Sequence, residues 1–404
     1  MITQAQKDLV RGTVPILRAH GLDLTKYFYN RMFTHNPELK NLFNMGNQQN
    51  SRQQTALAMA VLAYAENIEN PSVLMPVVDG IGNKHTSLNI RPEHYQIVGK
   101  HLIASIGEVL GDGASAELLE AWRVAYSQLA QIMSGHEGSI YEKQAAKSGG
   151  WTGWRPFIVK EKVIESTEIT SFYLYPSDGG DIADFKPGQY LSIRVFLKEL
   201  NLFQPRQYSI SCAPNGRYYR ISVKREFARE MNPSGLVSNV LHDTVQAGDI
   251  VEASAPAGNF SLQESDNPVV LISGGIGQTP LMAMMESLID SGSKRAITWV
   301  HACRNAEVHA FSQVANKEVQ TDRQISRHIF YDSCNDQQAQ EGIKEGWIEL
   351  SKFDQAHLPK GAEYYICGPA FFITKHAKDL MDMGISRGAI HFEEFGPQTL
   401  QLDI

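Results

Sequence analysis

The sequence predicts a multidomain protein in which an all-α domain is followed by an antiparallel β-barrel and then by an α/β domain. Up to residue 147, apolar positions recur at helical spacing and no run alternates like a strand. From Phe157 to Phe260 the apolar period becomes two, and turn residues separate short runs, as in a barrel. From Pro268 onwards, short apolar strands alternate with helical stretches, which is typical of a mainly parallel sheet.

Length and composition exclude several classes of protein. The chain has 404 residues, too many for one ordinary core, and 43% of them are hydrophobic. The formal net charge is -7 and no basic run appears, so we expect no nucleic-acid partner. No apolar stretch approaches the roughly 20 residues that span a bilayer, and the N-terminus has no signal-peptide pattern. We therefore expect a cytoplasmic protein without a transmembrane segment; separately, we expect a monomer.

Local signals predict the elements of the helical domain and its end. Ser51-Arg52-Gln53-Gln54 fits a capping box, so a helix should start near Ser51, and Pro92 suits the first turn of another. Glycine, serine and proline cluster in residues 148–156, which predicts a linker. The expected division is 1–147, 148–156, 157–264 and 265–404. The predicted helical stretches are Leu9–Leu17, Leu24–Phe33, Leu57–Ile68, Tyr95–Leu110 and Leu118–Ile140.

One predicted helix carries a histidine on its apolar face. Leu74, Val78, Ile81, His85 and Leu88 share one face, because they are 4, 3, 4 and 3 positions apart. An unpaired imidazole on such a face is costly, so His85 needs a hydrogen-bonding partner or a metal ion. Two interpretations stay open from the residues alone: a core histidine with a satisfied hydrogen bond, or a ligand of iron.

The predicted strands belong to two different sheets. Those of the barrel are Phe157–Val163, Thr170–Leu174, Tyr190–Val195, Gln207–Ser211, Tyr219–Lys224 and Ile250–Ala253. Those of the α/β domain are Val269–Ile272, Ile297–His301, His328–Tyr331 and Tyr364–Cys367, with helices at Leu281–Ile289 and Phe372–Met383.

A glycine-rich turn follows the first strand of the α/β domain. Glycines let the backbone approach a phosphate, and the next helix N-terminus offers free N–H groups; the alternative is a plain turn without a ligand. The turn resembles the pyridine-nucleotide loop of the ferredoxin reductase family in the residues Gly274-Gly275-Ile276-Gly277-Gln278-Thr279-Pro280. Downstream, Cys367-Gly368-Pro369 resembles the element that this family places near the nicotinamide.

The barrel and the C-terminus carry further elements that resemble this family. Arg206-Gln207-Tyr208-Ser209 resembles its flavin-binding R-x-Y-S element, where arginine can pair with a pyrophosphate and tyrosine can stack on the ring. Other matching positions are Tyr190, Lys224, the turn Gly235-Leu236-Val237-Ser238 and the flavin-covering segment Glu393-Glu394-Phe395-Gly396-Pro397. The resemblance implies a reductase that binds FAD and NAD(P)H over residues 157–404.

A reductase needs an electron acceptor, which the helical domain is expected to bind. The four cysteines are scattered without a C-x-x-C pair, which argues against an iron–sulfur centre. The helical domain resembles the globin domain of the flavohaemoglobins in the order of Tyr27-Phe28-Tyr29, Leu42-Phe43, Gln53, Leu57 and Lys84-His85. With the reductase elements, this resemblance extends over essentially the whole chain.

The resemblance implies roles for individual residues around a haem b. It implies that His85 ligates the iron, with Tyr95 and Glu137 orienting the imidazole. It further implies that Tyr29, Gln53 and Leu57 line the pocket on the other, distal side of the haem, that Phe43 packs on the macrocycle, and that Lys84 and Glu393 lie near the junction of haem and flavin.

The resemblance implies a nitric oxide dioxygenase, in which electrons pass from NAD(P)H through FAD to haem and Fe(II)-bound dioxygen oxidises nitric oxide to nitrate. Two alternatives stay open: a reductase of other acceptors, such as ferric iron, quinones, dyes or lipid hydroperoxides, and an oxygen carrier or sensor. The Tyr95–Glu137 pair favours an enzyme, because a carrier gains little from a strongly electron-donating histidine.

The preference for NADH or NADPH is also open, since Arg304 could meet a 2′-phosphate or be a surface charge.

Overall fold

The structure is a computed structural model, and it describes residues 2–49, 51–228, 234–313, 325–354 and 356–395. As predicted, the N-terminal part is helical, and its helices share a core that includes Phe28, Met32, Tyr64 and Trp122. The helices are α1 (Gln4–Gly12), α2 (Val14–His35), α3 (Met45–Gln49), α4 (Arg52–Glu66), α5 (Met75–Ser87), α6 (Pro92–Leu110) and α7 (Ala116–Ala146), with 3-10 turns at Pro37–Asn41, Pro71–Leu74 and Gly111–Gly113. None of the helices in these ranges is long and apolar enough to cross a membrane.

Two local predictions for the helical part are wrong. The stretch predicted as one helix, Leu9–Leu17, is interrupted at Thr13, whose hydroxyl donates to the Val10 carbonyl oxygen at 2.6 Å. A helix does start after Ser51, but not through a capping box. Serine caps from extended backbone, whereas Ser51 is left-handed with φ of 60° and its side chain makes no capping bond.

The apolar stripe around His85 lies on a helix, as the spacing predicts. Val78, Ile81 and His85 lie in α5, and Leu88 is the residue at its C-terminal cap. A proline in the first turn suits the start of α5, because the first N–H groups of a helix have no partner within it. His85 therefore stands in the last turn of α5.

The second part of the chain is the predicted antiparallel barrel. Its strands pair in the order β4-β3-β6-β1-β2-β5, and a bridge between Ile210 and Ile221 connects the outer strands. The strands are β1 (Arg155–Ile164), β2 (Ile169–Pro176), β3 (Tyr190–Leu197), β4 (Leu202–Ser209), β5 (Tyr219–Lys224) and β6 (Ile250–Ala253), with helix α8 (Leu236–Asp243) between the last two.

The third part contains the predicted parallel sheet, with strands in the order β10-β9-β8-β7-β11-β12. The strands are β7 (Val269–Gly274), β8 (Ile297–Cys303), β9 (Ile325–Tyr331), β10 (Ile343–Glu345), β11 (Glu363–Gly368) and β12 (Ile390–Glu394), and the helices are α9 (Gln278–Asp290), α10 (Asp336–Gln340) and α11 (Ala370–Asp382). Because β7 and β11 are parallel neighbours, the two motifs at their carboxyl ends meet at one edge of the sheet.

Helix α5 is bound directly to the barrel. The Ser192 hydroxyl donates to the Ser87 hydroxyl at 2.9 Å, and the Gln207 amide donates to the same atom at 3.2 Å. At the preceding turn, the Asn83 amide donates to the Asn259 side chain at 2.7 Å and accepts from the Gly258 N–H at 3.2 Å. The helix that carries His85 is thus fixed against the strand that carries the R-x-Y-S element.

Candidate functional site

His85 is held by a hydrogen-bonded network with two other side chains, of which Glu137 is buried. Its Nδ1 lies 2.7 Å from Oε1 of Glu137 and 3.0 Å from the Tyr95 hydroxyl, which itself donates to Glu137 at 2.6 Å. Since a carboxylate only accepts, Nδ1 carries a proton and donates it to Glu137. This tautomer leaves the lone pair of Nε2 for another partner, the arrangement found in histidines that ligate metals.

Glu137 is buried rather than solvated. Only 2% of the residue is exposed, because α7 continues through Gly135 and Gly138 to Ala146. Burial, and then the Glu137 charge, raise the pKa of Tyr95 well above its usual range, so that the hydroxyl keeps its proton and donates it. A buried carboxylate that accepts from both partners makes the imidazole more electron-donating.

A second polar group lies between α2 and α4. Tyr29 is 6% exposed and packs edge-on against Phe43, with 5.7 Å between ring centroids. Burial raises the pKa of Tyr29 well above its usual range, while a hydrogen bond with Gln53 acts in the other direction. The Gln53 side chain lies beside Tyr29, and its carbonyl oxygen accepts from the Gln48 amide at 3.1 Å. Leu57, one turn further along α4, is half-buried against the same core.

Charged residues of α5 and β12 meet at the junction of the first and third parts of the chain. Burial lowers the pKa of Lys84 to about 8, against the effect of Glu393 and Glu394. Burial likewise raises the pKa of Glu393 to about 8, against the attraction of Lys84. In the described part of the chain, Oε2 of each glutamate is buried without a hydrogen-bond partner, as expected of polar groups that face a ligand. Phe395 is 40% exposed, and Gly396 and Pro397 lie outside the described residues.

The R-x-Y-S residues lie along β4, beside Tyr190 of β3. Tyr190 pairs with Ser209 in the sheet, and burial raises the pKa of both Tyr190 and Tyr208 above the usual range. Burial lowers the pKa of Arg206, which forms no ion pair within the described ranges and donates to the Pro205 carbonyl oxygen at 2.7 Å. A half-buried guanidinium without a carboxylate suits a phosphate group.

Two other positions of the barrel match the ferredoxin reductase family. Lys224, at the end of β5, pairs with Glu226 at 3.5 Å. Gly235 is the residue before α8, so the predicted phosphate-contacting turn is the start of that helix.

The glycine loop and the Cys-Gly-Pro element form one continuous surface. A Cβ atom on Gly277 would lie 2.1 Å from the Cys367 carbonyl oxygen, so only glycine allows the loop to reach β11. Gly275 has φ of 55°, and α9 begins immediately after the loop. The side-chain nitrogen and oxygen of Gln278 are buried and find no partner among the described residues, which fits a ligand at this edge.

The contacts that position α5 could not be predicted from the sequence. Ser87 accepts from two barrel residues, and Asp79 lies 2.7 Å from His136 of α7 and 2.6 Å from the Asn259 amide. Short polar side chains of this kind belong to no sequence motif, so no local signal marks them.

Arg304, whose role the sequence leaves open, donates to Glu168 in the turn between β1 and β2 at 2.5 Å.

Comparison with known families supports two of the three parts directly. The family model Globin matches residues 26–133, and the model Oxidoreductase NAD-binding domain matches residues 271–378. The flavohemoprotein of Chromobacterium violaceum is 48% identical over 400 residues, which cover 98% of both chains. That of Rhizobium meliloti is 47% identical over 400 residues, which cover 98% of this chain and 99% of the relative.

Solved structures agree with this assignment. The flavohemoglobin of Malassezia yamatoensis, solved with bound FAD and heme, has the same fold, with a TM-score of 0.85, 24% identity and coverage of 98% of this chain and 100% of that one. The FAD/NAD binding domain of a nitric oxide dioxygenase from Vibrio cholerae is 40% identical with a TM-score of 0.56, and covers 60% of this chain and 99% of that one.

The fold and the matches define a class of protein in which a globin is followed by a reductase of the ferredoxin reductase type. This chain belongs to the flavohemoprotein family, and it is an oxidoreductase.

Proposed function

We propose that this flavohemoprotein is an NAD(P)H-dependent nitric oxide dioxygenase that converts nitric oxide and dioxygen to nitrate. The observation that carries the proposal is the hydrogen-bonded network of His85, Tyr95 and the buried Glu137, in a chain that also has reductase domains. When bound, FAD takes two electrons from NAD(P)H and passes them singly to haem b, which activates dioxygen towards nitric oxide. We propose residues 1–147, 157–264 and 265–404 as the three domains, with 148–156 as the linker.

His85 would hold the haem iron through Nε2, because its Nδ1 donates to Glu137. A hydrogen bond to a buried carboxylate increases the electron donation of the imidazole. That effect favours activation of dioxygen over its storage, and so supports an enzyme rather than a carrier or sensor.

On the distal side, Tyr29 would hold dioxygen by donating its O–H group, with the Gln53 side chain beside it. Partial negative charge on dioxygen makes it a good acceptor for this donor. Phe43 and Leu57 would supply the apolar walls of the pocket.

In the reductase, Arg206 would neutralise the pyrophosphate of FAD, and Tyr190 and Tyr208 would lie against the flavin. The N–H groups at the start of α9 and the glycines of the loop would hold the phosphates of the nucleotide. Lys84 and Glu393, at the junction of the domains, would bias the passage of electrons between the two cofactors.

The test is nitric oxide consumption by the purified protein, which should carry both a Soret band and a flavin absorbance. Consumption should require NAD(P)H and dioxygen together, with nitrate as the product. Turnover of ferric chelates or quinones without nitric oxide consumption would instead establish the alternative reductase.

Replacing Glu137 with glutamine should lower nitric oxide consumption by about tenfold, a usual size for the loss of a group that orients a metal ligand. The amide offers His85 a weaker acceptor than the carboxylate does, so the haem reduction potential should also rise. Steady-state rates and a spectroelectrochemical titration measure the two effects. Glu142→Gln, an exposed change on the same helix, is the matched control. Equal rates and potentials in the Glu137 variant and wild type would contradict the role of Glu137.

Replacing Glu168 with glutamine should increase the use of NADPH relative to NADH. In the structure Glu168 holds Arg304, which lies just beyond the end of β8 and would otherwise be available to a 2′-phosphate. An exposed charge pair contributes up to ~1 kcal/mol, so the ratio of kcat/KM for the two nucleotides should shift by about fivefold. Glu307→Gln removes an exposed neighbouring charge and serves as the control. An unchanged ratio would show that Arg304 does not contribute to the choice between NADPH and NADH.

A further inference from the structure

The barrel and the nucleotide-binding domain are connected by a buried ion pair. Arg220 of β5 donates to Oε1 of Glu286 on α9 at 2.8 Å, and only 8% of Arg220 is exposed. The other carboxylate oxygen of Glu286 accepts from the backbone N–H of Ala213 at 3.1 Å. Although burial disfavours its charge, Glu286 holds the pKa of Arg220 above the usual range. Both carboxylate oxygens of an α9 residue are therefore bound by the barrel.

Further contacts fix the guanidinium in place. Its Nε donates to the Ser211 hydroxyl at 3.2 Å, and its terminal nitrogen also donates to the Ser211 carbonyl oxygen. From the nucleotide-binding side, the ring of Phe311 lies 5.2 Å from the guanidinium carbon. Phe311 is buried with φ of 57°, a conformation that bulky residues rarely adopt and that persists only where the surroundings impose it.

The ion pair joins the two elements that would carry the reacting cofactors. Ser211 follows Ser209, the last residue of the R-x-Y-S element, by two positions. Glu286 lies on α9, whose first turn follows the glycine loop. Nearby, a Cβ on Gly188 would lie 2.3 Å from the Phe260 carbonyl oxygen and 2.6 Å from Cε of Met284, so the barrel touches the same helix closely.

We infer that the Arg220–Glu286 pair is a positioning device for hydride transfer, which sets the distance between the nicotinamide and the flavin. The inference rests on the proposed function. The hydride leaves the dihydronicotinamide for the flavin, which is reduced by the two electrons that the nicotinamide loses. A buried ion pair contributes little net stability but imposes a definite geometry, and a misplacement of about 1 Å can cost about 100-fold in rate.

The test is Glu286→Ala in the full-length holoprotein, with anaerobic stopped-flow measurement of flavin reduction by NADH. At saturating NADH the rate should fall by about 10- to 100-fold, while the dissociation constant for NADH changes by less than about threefold. The primary isotope effect with 4-deuterated NADH should increase, because hydride transfer then limits reduction. FAD content should stay equal to that of wild type.

A second measurement does not depend on cofactors. Hydrogen exchange at the Ala213 amide, which donates to Glu286, should become about tenfold faster in the variant. Should Glu286→Ala fail to fold, Glu286→Gln keeps the side-chain volume and removes the charge; its flavin reduction should slow by at least about threefold.

The matched control is Glu252→Ala, which removes a partly buried ion pair with Arg194 inside the barrel. An equal loss of rate in the control, or an unchanged rate in the Glu286 variants, would overturn the inference alone. Absence of NADH-dependent flavin reduction in wild type would overturn the proposed function and the inference with it.

Discussion

Replacing His85 with alanine should lower nitric oxide consumption by at least about 100-fold. Loss of a residue that only supports a metal ligand costs up to about 100-fold, and loss of the ligand itself should cost no less. In the structure, Glu137 and Tyr95 both lie at Nδ1 of His85, so Nε2 is the nitrogen that the proposed function assigns to iron. The variant should lose the absorption spectrum of a histidine-ligated haem. Reduction of ferricyanide by NADH should stay within about twofold of wild type, because distant sites act independently.

The control for this variant is His20→Ala, which removes an exposed histidine from α2 of the same domain. Haem content, visible spectra and nitric oxide consumption should match those of wild type in the control. A His85 variant with a normal histidine-ligated spectrum and normal consumption would remove His85 from the iron site. Such a result would leave the reductase half of the proposal intact.

Replacing Tyr29 with phenylalanine should release dioxygen about 10- to 100-fold faster. A hydrogen bond to a charged group contributes about 1.5–3 kcal/mol, and the proposed function has the Tyr29 O–H donate to dioxygen. Faster release should reduce nitric oxide consumption most strongly at low dioxygen. Stopped-flow dissociation of dioxygen and steady-state consumption across dioxygen concentrations measure both effects.

Tyr27→Phe makes the same chemical change two residues away, where the hydroxyl donates to Glu108 at the surface. Its dioxygen dissociation should equal that of wild type. If Tyr29→Phe likewise leaves dissociation and consumption unchanged, Tyr29 does not hold the substrate. Gln53 would then be the remaining donor of this group.

The fold classes follow from periodicity, whereas single capping contacts do not. The strands Tyr219–Lys224 and Ile250–Ala253 have the predicted bounds, because alternation and flanking turns are local properties of the chain. Ser51 shows the opposite case: its neighbours fit a capping box, but the residue is left-handed. A four-residue motif shows which hydrogen bonds could form at a helix start. Which of them does form depends on how the helix packs in the folded protein.

For the candidate site, resemblance names most of the residues, but their chemical state depends on packing. The apolar stripe leaves His85 open between a core residue and an iron ligand. The structure brings His85, Tyr95 and Glu137 from α5, α6 and α7 to within 3.0 Å of one another. The sequence separations are large, so no local pattern contains this network.

The succession of the three fold classes and the chemistry of the motifs can be predicted from the chain alone, since both depend on neighbouring residues. Which nitrogen of His85 is left for a ligand, and how α5 meets the strand with the R-x-Y-S element, depends on the folded chain. The tertiary structure also revealed the Arg220–Glu286 pair, which no motif marks. The reason is physical: hydrogen bonds, burial and shifts of pKa depend on side chains that are distant in the chain and become neighbours only when it folds.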